Sequence, residues 1–359
     1  MNAPRAGSRT ALFWALTLFA GLALATLSGE AALRAYDAWK GVTPPATHNL
    51  PEVLAIPSGY SNFDLEPSVS VVYDAHRPRR ITINRWGFRG DDYDPVKPSG
   101  HLRVFCLGGS STFDPFVSDA ETWCHLLGVK LSLRLGRPVE AVNAGRYGYT
   151  TSEILGLVLS RILRHAPDVL VLYSTYNDSL TEISPYHGRD DGPRLYGGRF
   201  VSWLTKRSAL FAFLDFRLRH QWPTARFYGR ILRSDLATKP APPEHREFMA
   251  DPVRRVGYQV AVYRRNVRAL VRLARDNQVD VVLSTQVVDP AQRPPALNAI
   301  NDALRAVAAE DTVPLVDLDA DESDARSHGL LESYVHLSRT GCERVSEAFA
   351  SRLEFVLRQ

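Results

Sequence analysis

The chain has 359 residues, of which 45% are hydrophobic and 23% charged, a balance that predicts a folded globular protein rather than a disordered one. Its formal net charge of +4 is too small to indicate a nucleic-acid-binding protein, so no nucleic-acid partner is expected. Three cysteines, without a Cys-x-x-Cys pair or a His/Cys cluster, argue against a disulfide framework and a zinc site and leave room for one disulfide.

The chain begins with a basic segment followed by an apolar one. Two arginines precede 17 uncharged residues (11–27), and residues 10–29 form a stretch long enough to cross a bilayer core of about 30 Å. The arginines favour a cytoplasmic N-terminus, which would place the rest of the chain in the periplasm of a bacterium. A cleaved signal peptide is the alternative, because residues 23–25 (Ala-Leu-Ala) resemble a cleavage site. We expect residues 1–30 to be an uncleaved inner-membrane anchor, because the apolar run continues into a helical pattern.

Within the segment 31–100, residues 41–100 are rich in proline, glycine and aromatic residues, with one alternating stretch, ITIN (81–84). This composition predicts loops around a short strand. We expect the segment to be a lead-in that packs on the main domain.

From residue 101 to residue 359, apolar runs rich in β-branched residues alternate with helical patterns, two of which follow capping-box sequences at 118–121 and 150–153. Alternation of strands and helices predicts right-handed βαβ units and a parallel sheet. Unbroken apolar strands indicate burial on both faces. The predicted fold is therefore α/β, a three-layer doubly wound sheet of five parallel strands. The predicted strands are 103–109, 139–145, 169–175, 279–288 and 313–318.

A long excursion, roughly residues 181–252, separates the third strand from the fourth. Its central part, residues 186–234, holds ten basic and three acidic residues among many aromatic ones, and residues 208–222 have the pattern of an amphipathic helix. One interpretation is a helical cap whose aromatic side chains pack on the sheet domain. The other is a contact with a membrane surface or an anionic glycan.

Residues that could carry chemistry follow the strands. Ligands bind at the carboxyl ends of the strands in an open α/β sheet. Ser110 and Ser111 follow the first strand, Gly145 the second and Asn177 the third, and His336 lies before the last helix. These groups supply a nucleophile, a base and oxyanion donors, as acyl transfer requires. The glycines before Ser110 could instead cradle a phosphate, but no G-x-G-x-x-G or G-K-[ST] motif is present.

The order of these motifs resembles that of the SGNH, or GDSL-like, hydrolase family. The sequence GGS (108–110) is similar to the family's Gly-Asp-Ser, NAGRYGYTT (143–151) to its glycine motif, TYND (175–178) to its G-x-N-D motif and SYVH (333–336) to its D-x-x-H ending. The segment NRWGFRGDDYD (84–94) resembles the lead-in of membrane-anchored or exported bacterial members. The resemblance covers about residues 80–359, apart from the excursion, and implies a flavodoxin-like strand order.

The resemblance implies a role for each matched residue. Ser110 would attack an acyl carbonyl, with Ser111 as the fallback nucleophile, and His336 would accept its proton. The backbone N–H groups of Ser110 and Gly145 and the side-chain amide of Asn177 would hold the oxyanion. No metal and no cofactor is expected.

The chain departs from the family at the residue that normally orients the histidine. Ser333 stands where the family has aspartate, and loss of this carboxylate costs other serine hydrolases on the order of 10⁴ in turnover. Three hypotheses remain open. The Glu332 carboxylate could take its place, the main-chain carbonyl of Ser333 could hold the ring, or the site could be degraded.

Together these observations predict an exported, membrane-tethered serine esterase. It would remove a small acyl group, such as acetyl, from an envelope glycan, a lipid-linked sugar or another small ester. Membrane contact is expected through the N-terminal helix and, in one interpretation, the basic aromatic excursion. Two alternatives stay open: an O-acyltransferase that uses the same acyl-enzyme, and a catalytically silent binding or assembly protein of the envelope.

Overall fold

The computed structural model describes residues 6–42, 54–56, 58, 63–73, 77–180, 183–185, 199–220, 243–322, 325 and 328–358. The chain divides into two compact units, each described by itself. The smaller unit contains residues 1–53, 71–78 and 197–237, and the larger contains residues 54–70, 79–196 and 238–359. The predicted lead-in, 31–100, is thus divided between them.

The described residues of the two units form the following helices and strands. The helices are α1 (Ala6–Trp39), α2 (Ser110–Phe113), α3 (Trp123–Leu135), α4 (Thr151–Ser160), α5 (Tyr176–Leu180), α6 (Arg199–Arg207), α7 (Ala209–His220), α8 (Pro243–Ala250), α9 (Pro252–Asp276), α10 (Leu297–Glu310), α11 (Leu318–Asp321) and α12 (Arg339–Leu357). The strands are β1 (Ala55–Ile56), β2 (Asp64–Leu65), β3 (Val69–Tyr73), β4 (Arg79–Ile83), β5 (Leu102–Gly108), β6 (Val139–Asn143), β7 (Val169–Tyr173), β8 (Asp280–Ser284) and β9 (Leu315–Val316). Short 3₁₀ turns connect several of them.

In the smaller unit, helix α1 has 34 residues and is about 51 Å long. Among the described residues it holds one segment, Thr10–Trp39, that is long and apolar enough to cross a membrane, and none of the most apolar part is buried. Its length and composition suit either a membrane span or a signal sequence. Helices α6 and α7 follow one another within residues 199–220, and α7 packs against α1. The helix expected at 208–222 is thus present at Ala209–His220, while residues 186–198 and 221–242 of the excursion lie outside the described residues.

The larger unit is built on a five-stranded parallel sheet of order β6-β5-β7-β8-β9. This order is the flavodoxin-like one that the sequence predicts, and the α/β prediction is confirmed. All residues of β5 and β7 are buried, as expected for central strands covered on both faces. Strand β8 is shorter than predicted because its neighbour β7 ends at Tyr173, opposite Ser284.

Helices cover both faces of the sheet. On one face α3 and α12 pack together, and their Trp123 and Phe349 rings lie 4.9 Å apart in a core that also holds alternate residues of β5 and β7. On the other face α4 packs against α9, and α9 packs against α10. The capping boxes form as predicted. Ser118 and Glu121 cap the 3₁₀ turn before α3, and Thr150 and Glu153 cap α4.

A disulfide joins the sheet to this core. Cys106 of β5 pairs with Cys124 of α3, 18 residues later, and Cys342 of α12 is a free buried thiol. The sequence left room for one pair without indicating which. The pairing follows from the fold, because α3 crosses directly back over the strand that precedes it.

Lead-in residues within the larger unit hold the turn after β6. The Arg146 side chain is fully buried and bonds to the Asp64 carboxylate at 3.0 Å. The backbone N–H of Arg89 donates to the carbonyl of Asn143 at 3.0 Å. These segments therefore brace the carboxyl end of the sheet.

Candidate active site

The turn after β5 requires glycine. A Cβ at Gly108 would lie 2.4 Å from the carbonyl oxygen of Tyr173 on the neighbouring strand, a distance that backbone atoms do not accommodate. The chain can therefore turn sharply at the end of the strand and begin the short helix α2 with Ser110. This geometry places the Ser110 side chain at the carboxyl edge of the sheet.

Ser110 and His336 are in hydrogen-bond contact although they are 226 residues apart. The Oγ atom of Ser110 lies 2.8 Å from Nε2 of His336, and the opposite ring nitrogen, Nδ1, lies 2.8 Å from Oγ of Ser333. Ser111, the fallback nucleophile, is only 3% exposed, and the hydroxyl that reaches the histidine is that of Ser110. The structure therefore brings together a serine, a histidine and a second serine in a line.

The partner of Nδ1 is a hydroxyl. Of the two residues expected from the sequence to orient the ring, Glu332 and Ser333, it is Ser333 that provides this contact, through its hydroxyl. Glu332 is exposed, and its backbone N–H donates to the carbonyl of His336 at 2.9 Å. The Ser333 side chain reaches the ring because residues 332–336 form a tight turn before α12 that brings positions 333 and 336 together.

His336 lies between two aromatic rings. The Phe116 ring centre is 5.2 Å from that of His336, and the Tyr334 ring centre is 6.0 Å away. Burial lowers the pKa of His336 to about 4, because the charged imidazolium loses its hydration. The ring is consequently neutral at pH 7, as a general base must be.

The N–H of Gly145, which the family resemblance places at the oxyanion, has a hydrogen-bond partner within the protein. Its N–H donates to Oδ1 of Asn143 at 3.0 Å. A Cβ at this position would lie 2.2 Å from the backbone nitrogen of Phe113 in α2. Gly145 therefore serves close packing of two backbones, and its motif position alone did not reveal that its N–H is used.

The backbone N–H groups of Ser110 and Gly148 have no hydrogen-bond partner among the described residues. Gly148 is partly exposed and has φ +66°, the left-handed region that favours glycine. The carbonyl of the next residue, Tyr149, accepts a hydrogen bond from Nδ2 of Asn177 at 2.9 Å. Sequence reasoning missed Gly148, although it is the second glycine of NAGRYGYTT and could have been weighed beside the first.

Asn177 lies directly against the turn that precedes Ser110. A Cβ at Gly109 would be 2.3 Å from Nδ2 of Asn177, so the amide fills the space that a side chain at 109 would take. Glycine at this position, where the family usually has aspartate, therefore allows the amide to approach Ser110.

Asp178 fixes the helix that carries Asn177. Its buried carboxylate accepts hydrogen bonds from the backbone N–H of Thr151 at 3.1 Å and from the Thr151 hydroxyl at 2.6 Å. Burial raises the pKa of Asp178 to about 7, while these hydrogen bonds oppose the shift. The contact joins α5 to the first residue of α4 and so sets the position of the Asn177 amide.

Arg89 holds the segment that follows helix α2. Its side chain is 1% exposed and donates to the carbonyls of Phe113, Asp114 and Val117, the last at 2.7 Å. It also bonds to the Asp119 carboxylate at 2.9 Å. One buried guanidinium therefore satisfies three backbone acceptors of an irregular loop, which explains why the lead-in carries this arginine.

Comparison with solved structures finds similar chains among known hydrolases. The chain is similar to the lipase/acylhydrolase from Enterococcus faecalis (15% identity, 71% of this chain and 96% of that chain, TM-score 0.44). It is also similar to a catalytic mutant of an acetylxylan esterase from Geobacillus stearothermophilus (12%, 72% and 96%, TM-score 0.43). A third similar structure is a GDSL-like lipase from Bacteroides thetaiotaomicron (13%, 71% and 87%, TM-score 0.37).

No curated protein matches the sequence. The model of the GDSL-like Lipase/Acylhydrolase family matches residues 106–344, which span β5 to α12 and include the serine and the histidine that meet at the sheet edge. The chain belongs to the GDSL-like lipase/acylhydrolase family.

Proposed function

We propose that the protein is a serine esterase whose nucleophile is Ser110 and whose base is His336. The observation that carries the proposal is the 2.8 Å separation of Ser110 Oγ and His336 Nε2. This is the distance at which a neutral imidazole accepts the proton of a hydroxyl nucleophile.

The reaction has two steps. Ser110 Oγ forms a bond to the acyl carbon while its proton passes to Nε2 of His336. The tetrahedral intermediate then expels the alcohol, which takes that proton as it leaves. Water repeats the sequence on the acyl-enzyme and releases the acid. When His336 acts as the base, Nδ1 carries the proton and donates a hydrogen bond to Ser333 Oγ. This hydrogen bond holds the ring in place without a carboxylate.

The developing oxyanion would be held by the N–H groups of Ser110 and Gly148 and by Nδ2 of Asn177. Support comes from the first two having no hydrogen-bond partner among the described residues and from the Asn177 amide, which lies against Gly109 and donates to the carbonyl of Tyr149, the residue after Gly148. A donor of this kind typically lowers the barrier by about 3–4 kcal/mol. Ester cleavage, whose leaving group is better than an amine, suits a Ser–His pair supported by such donors.

The proposed substrate is a small O-acyl ester, such as an acetyl ester, on an envelope glycan or a lipid-linked sugar. Two features support an exported enzyme. The N-terminal helix is long enough to anchor the chain, and the Cys106–Cys124 disulfide is typical of oxidising compartments. Beside the site, the Tyr334 ring is 38% exposed and packs on Tyr176 at 5.5 Å. This aromatic wall would accommodate the apolar face of a sugar.

The proposal is tested by labelling the full chain with a fluorophosphonate probe. We expect labelling of the wild type and loss of labelling in Ser110→Ala and His336→Ala, while Ser111→Ala, the matched control one residue away, keeps it. Circular dichroism shows whether each variant is folded. A folded wild type that never reacts would favour the silent binding protein. An acyl group passed to a sugar in preference to water would identify a transferase.

A further inference from the structure

Glu30 of α1 follows the apolar stretch of that helix, and its carboxylate forms hydrogen bonds with residues of the excursion. Residues 10–29 are uncharged and cover about 30 Å, so Glu30 lies where the hydrocarbon layer of a bilayer would end. The Glu30 carboxylate accepts hydrogen bonds from the Ser208 hydroxyl at 2.8 Å and from the N–H groups of Ala209 at 3.0 Å and Leu210 at 2.9 Å. It also pairs with Arg34 at 2.6 Å.

These contacts cap helix α7 from another helix. The first N–H groups of a helix have no partner within it and carry partial positive charge, so a carboxylate there is favourable. At the edge of a bilayer the same contacts remove the cost of an unpaired charge and of exposed backbone donors. Glu30 is thus suited to join α7 to the anchor at this depth.

The order of contacts shows on which side of Glu30 helix α7 begins. Arg34, one turn beyond Glu30 on the water side, donates to the carbonyl of Arg207 at 2.5 Å. On the bilayer side, Gly29 lies against Leu210, whose Cδ2 would be 3.4 Å from a Cβ at Gly29. As the chain passes from 207 to 210 it therefore approaches the bilayer, and α7 continues with the apolar sequence ALFAFL (209–214).

Helix α6, on the water side, carries groups suited to lipid headgroups. Trp203 is 48% exposed, and the Arg207 guanidinium lies 4.9 Å from its ring centre. Lys206 stands next to Arg207 at the end of the helix. Exposed tryptophan beside basic side chains is the pattern of helices that lie in the interface of anionic membranes.

We propose that residues 199–220 form an interfacial helical pair, docked on the membrane anchor through Glu30 and seated in the headgroup layer of an anionic leaflet. The pair fixes the emerging chain against the bilayer surface, where a lipid-linked or envelope ester would be met. This inference rests on the proposed uncleaved anchor, and its test needs no hydrolase activity.

The test uses the full chain in vesicles of phosphatidylglycerol and phosphatidylcholine, with Leu214→Cys carrying the fluorophore NBD. Leu214 is 42% exposed in the protein, whereas Cys342 is buried and the other two cysteines are paired. We expect nitroxide-labelled lipid to quench the NBD fluorescence. Aqueous iodide should quench it at least about threefold less than in variants that disrupt the contact with the anchor, described below as docking variants. In phosphatidylcholine alone the protection from iodide should decrease.

The docking variants are Glu30→Ala, which removes the cap, and Gly29→Leu, whose side chain would collide with Leu210. Gly21→Leu is the matched control, because nothing lies within 4 Å of a Cβ at Gly21 on the same helix. Release of the label into water by both docking variants, but not by the control, supports the proposal. Three results would overturn the proposal. The label could be exposed to water in the protein whose Glu30 and Gly29 are unchanged. It could be equally protected from iodide in all variants, or equally protected in vesicles without anionic lipid. Loss of the chain from carbonate-washed vesicles would overturn the anchor itself, independently of fluorophosphonate labelling.

Discussion

Replacing Ser333 with aspartate would supply the carboxylate that the site lacks. Ser333 Oγ is 2.8 Å from Nδ1 of His336, so a carboxylate at position 333 would lie about 4 Å from the imidazolium charge. At an effective dielectric constant of about 20 this pair is worth about 4 kcal/mol, which is about 3 pKa units. Since burial lowers the pKa of His336 to about 4, the variant should have a His336 pKa near 7.

The sign of the pH effect follows from the role of the neutral ring as base. In the wild type, activity should be present above about pH 4 and be lost as the pH falls through that value. In Ser333→Asp the acidic limb of the pH–rate profile, where activity is lost as the pH falls, should move up to about pH 7. Above both values the more basic ring should accelerate the reaction. If about half of the 4 kcal/mol is realised in the transition state, kcat/KM rises about 30-fold.

The assay is kcat/KM for p-nitrophenyl acetate between pH 3.5 and 9. Ser333→Ala is the control, because it removes the hydroxyl without adding charge. It should lower the plateau of kcat/KM about fivefold, the factor that corresponds to the free energy of one hydrogen bond. It should leave the acidic limb of the profile below pH 5. An acidic limb that stays in place in a folded Ser333→Asp variant would refute the electrostatic reasoning. So would a wild-type limb near pH 6.5.

Three further predictions concern the supports of the site. Gly109→Ala should displace the Asn177 amide, because its methyl group would lie 2.3 Å from Nδ2, and should lower kcat about 10²-fold with little change in KM. Reduction of the Cys106–Cys124 disulfide, which closes 18 residues, should lower the free energy of unfolding in urea by about 3 kcal/mol. Arg89→Lys should lower it by at least about 2 kcal/mol, because one ammonium cannot serve three carbonyls and a carboxylate, and should slow acylation.

Matched controls separate these effects from general damage. Gly257→Ala places a methyl group in open space and should leave kcat unchanged. Arg85→Lys changes an arginine that is 57% exposed and should not alter urea stability measurably. An unchanged kcat in Gly109→Ala would contradict the placement of the Asn177 amide. Equal urea midpoints for the oxidised and reduced protein would contradict a stabilising disulfide. A fully stable Arg89→Lys would contradict the importance of the arginine for the loop after α2.

The sequence by itself determined the sheet and, through the family resemblance, its strand order, and it singled out the segments that we propose to carry the chemistry. Strands and helices can be predicted from local sequence, because the period of apolar residues and a capping box such as Thr150/Glu153 depend on neighbours in the chain. Ser110 and His336 could be singled out because both stand at element boundaries that the topology places at one edge of the sheet.

Only the tertiary structure decided which atoms meet there. The Gly145 N–H is used by Asn143 while the Gly148 N–H has no partner among the described residues, a difference set by how two backbones pack. The Ser333 hydroxyl, rather than the Glu332 carboxylate, reaches His336 because the turn before α12 aims it so. The disulfide, the Arg89 contacts and the Glu30 cap likewise join residues distant in sequence. The periodicity of apolar residues does not predict such pairs, because they form only when separate elements come into contact.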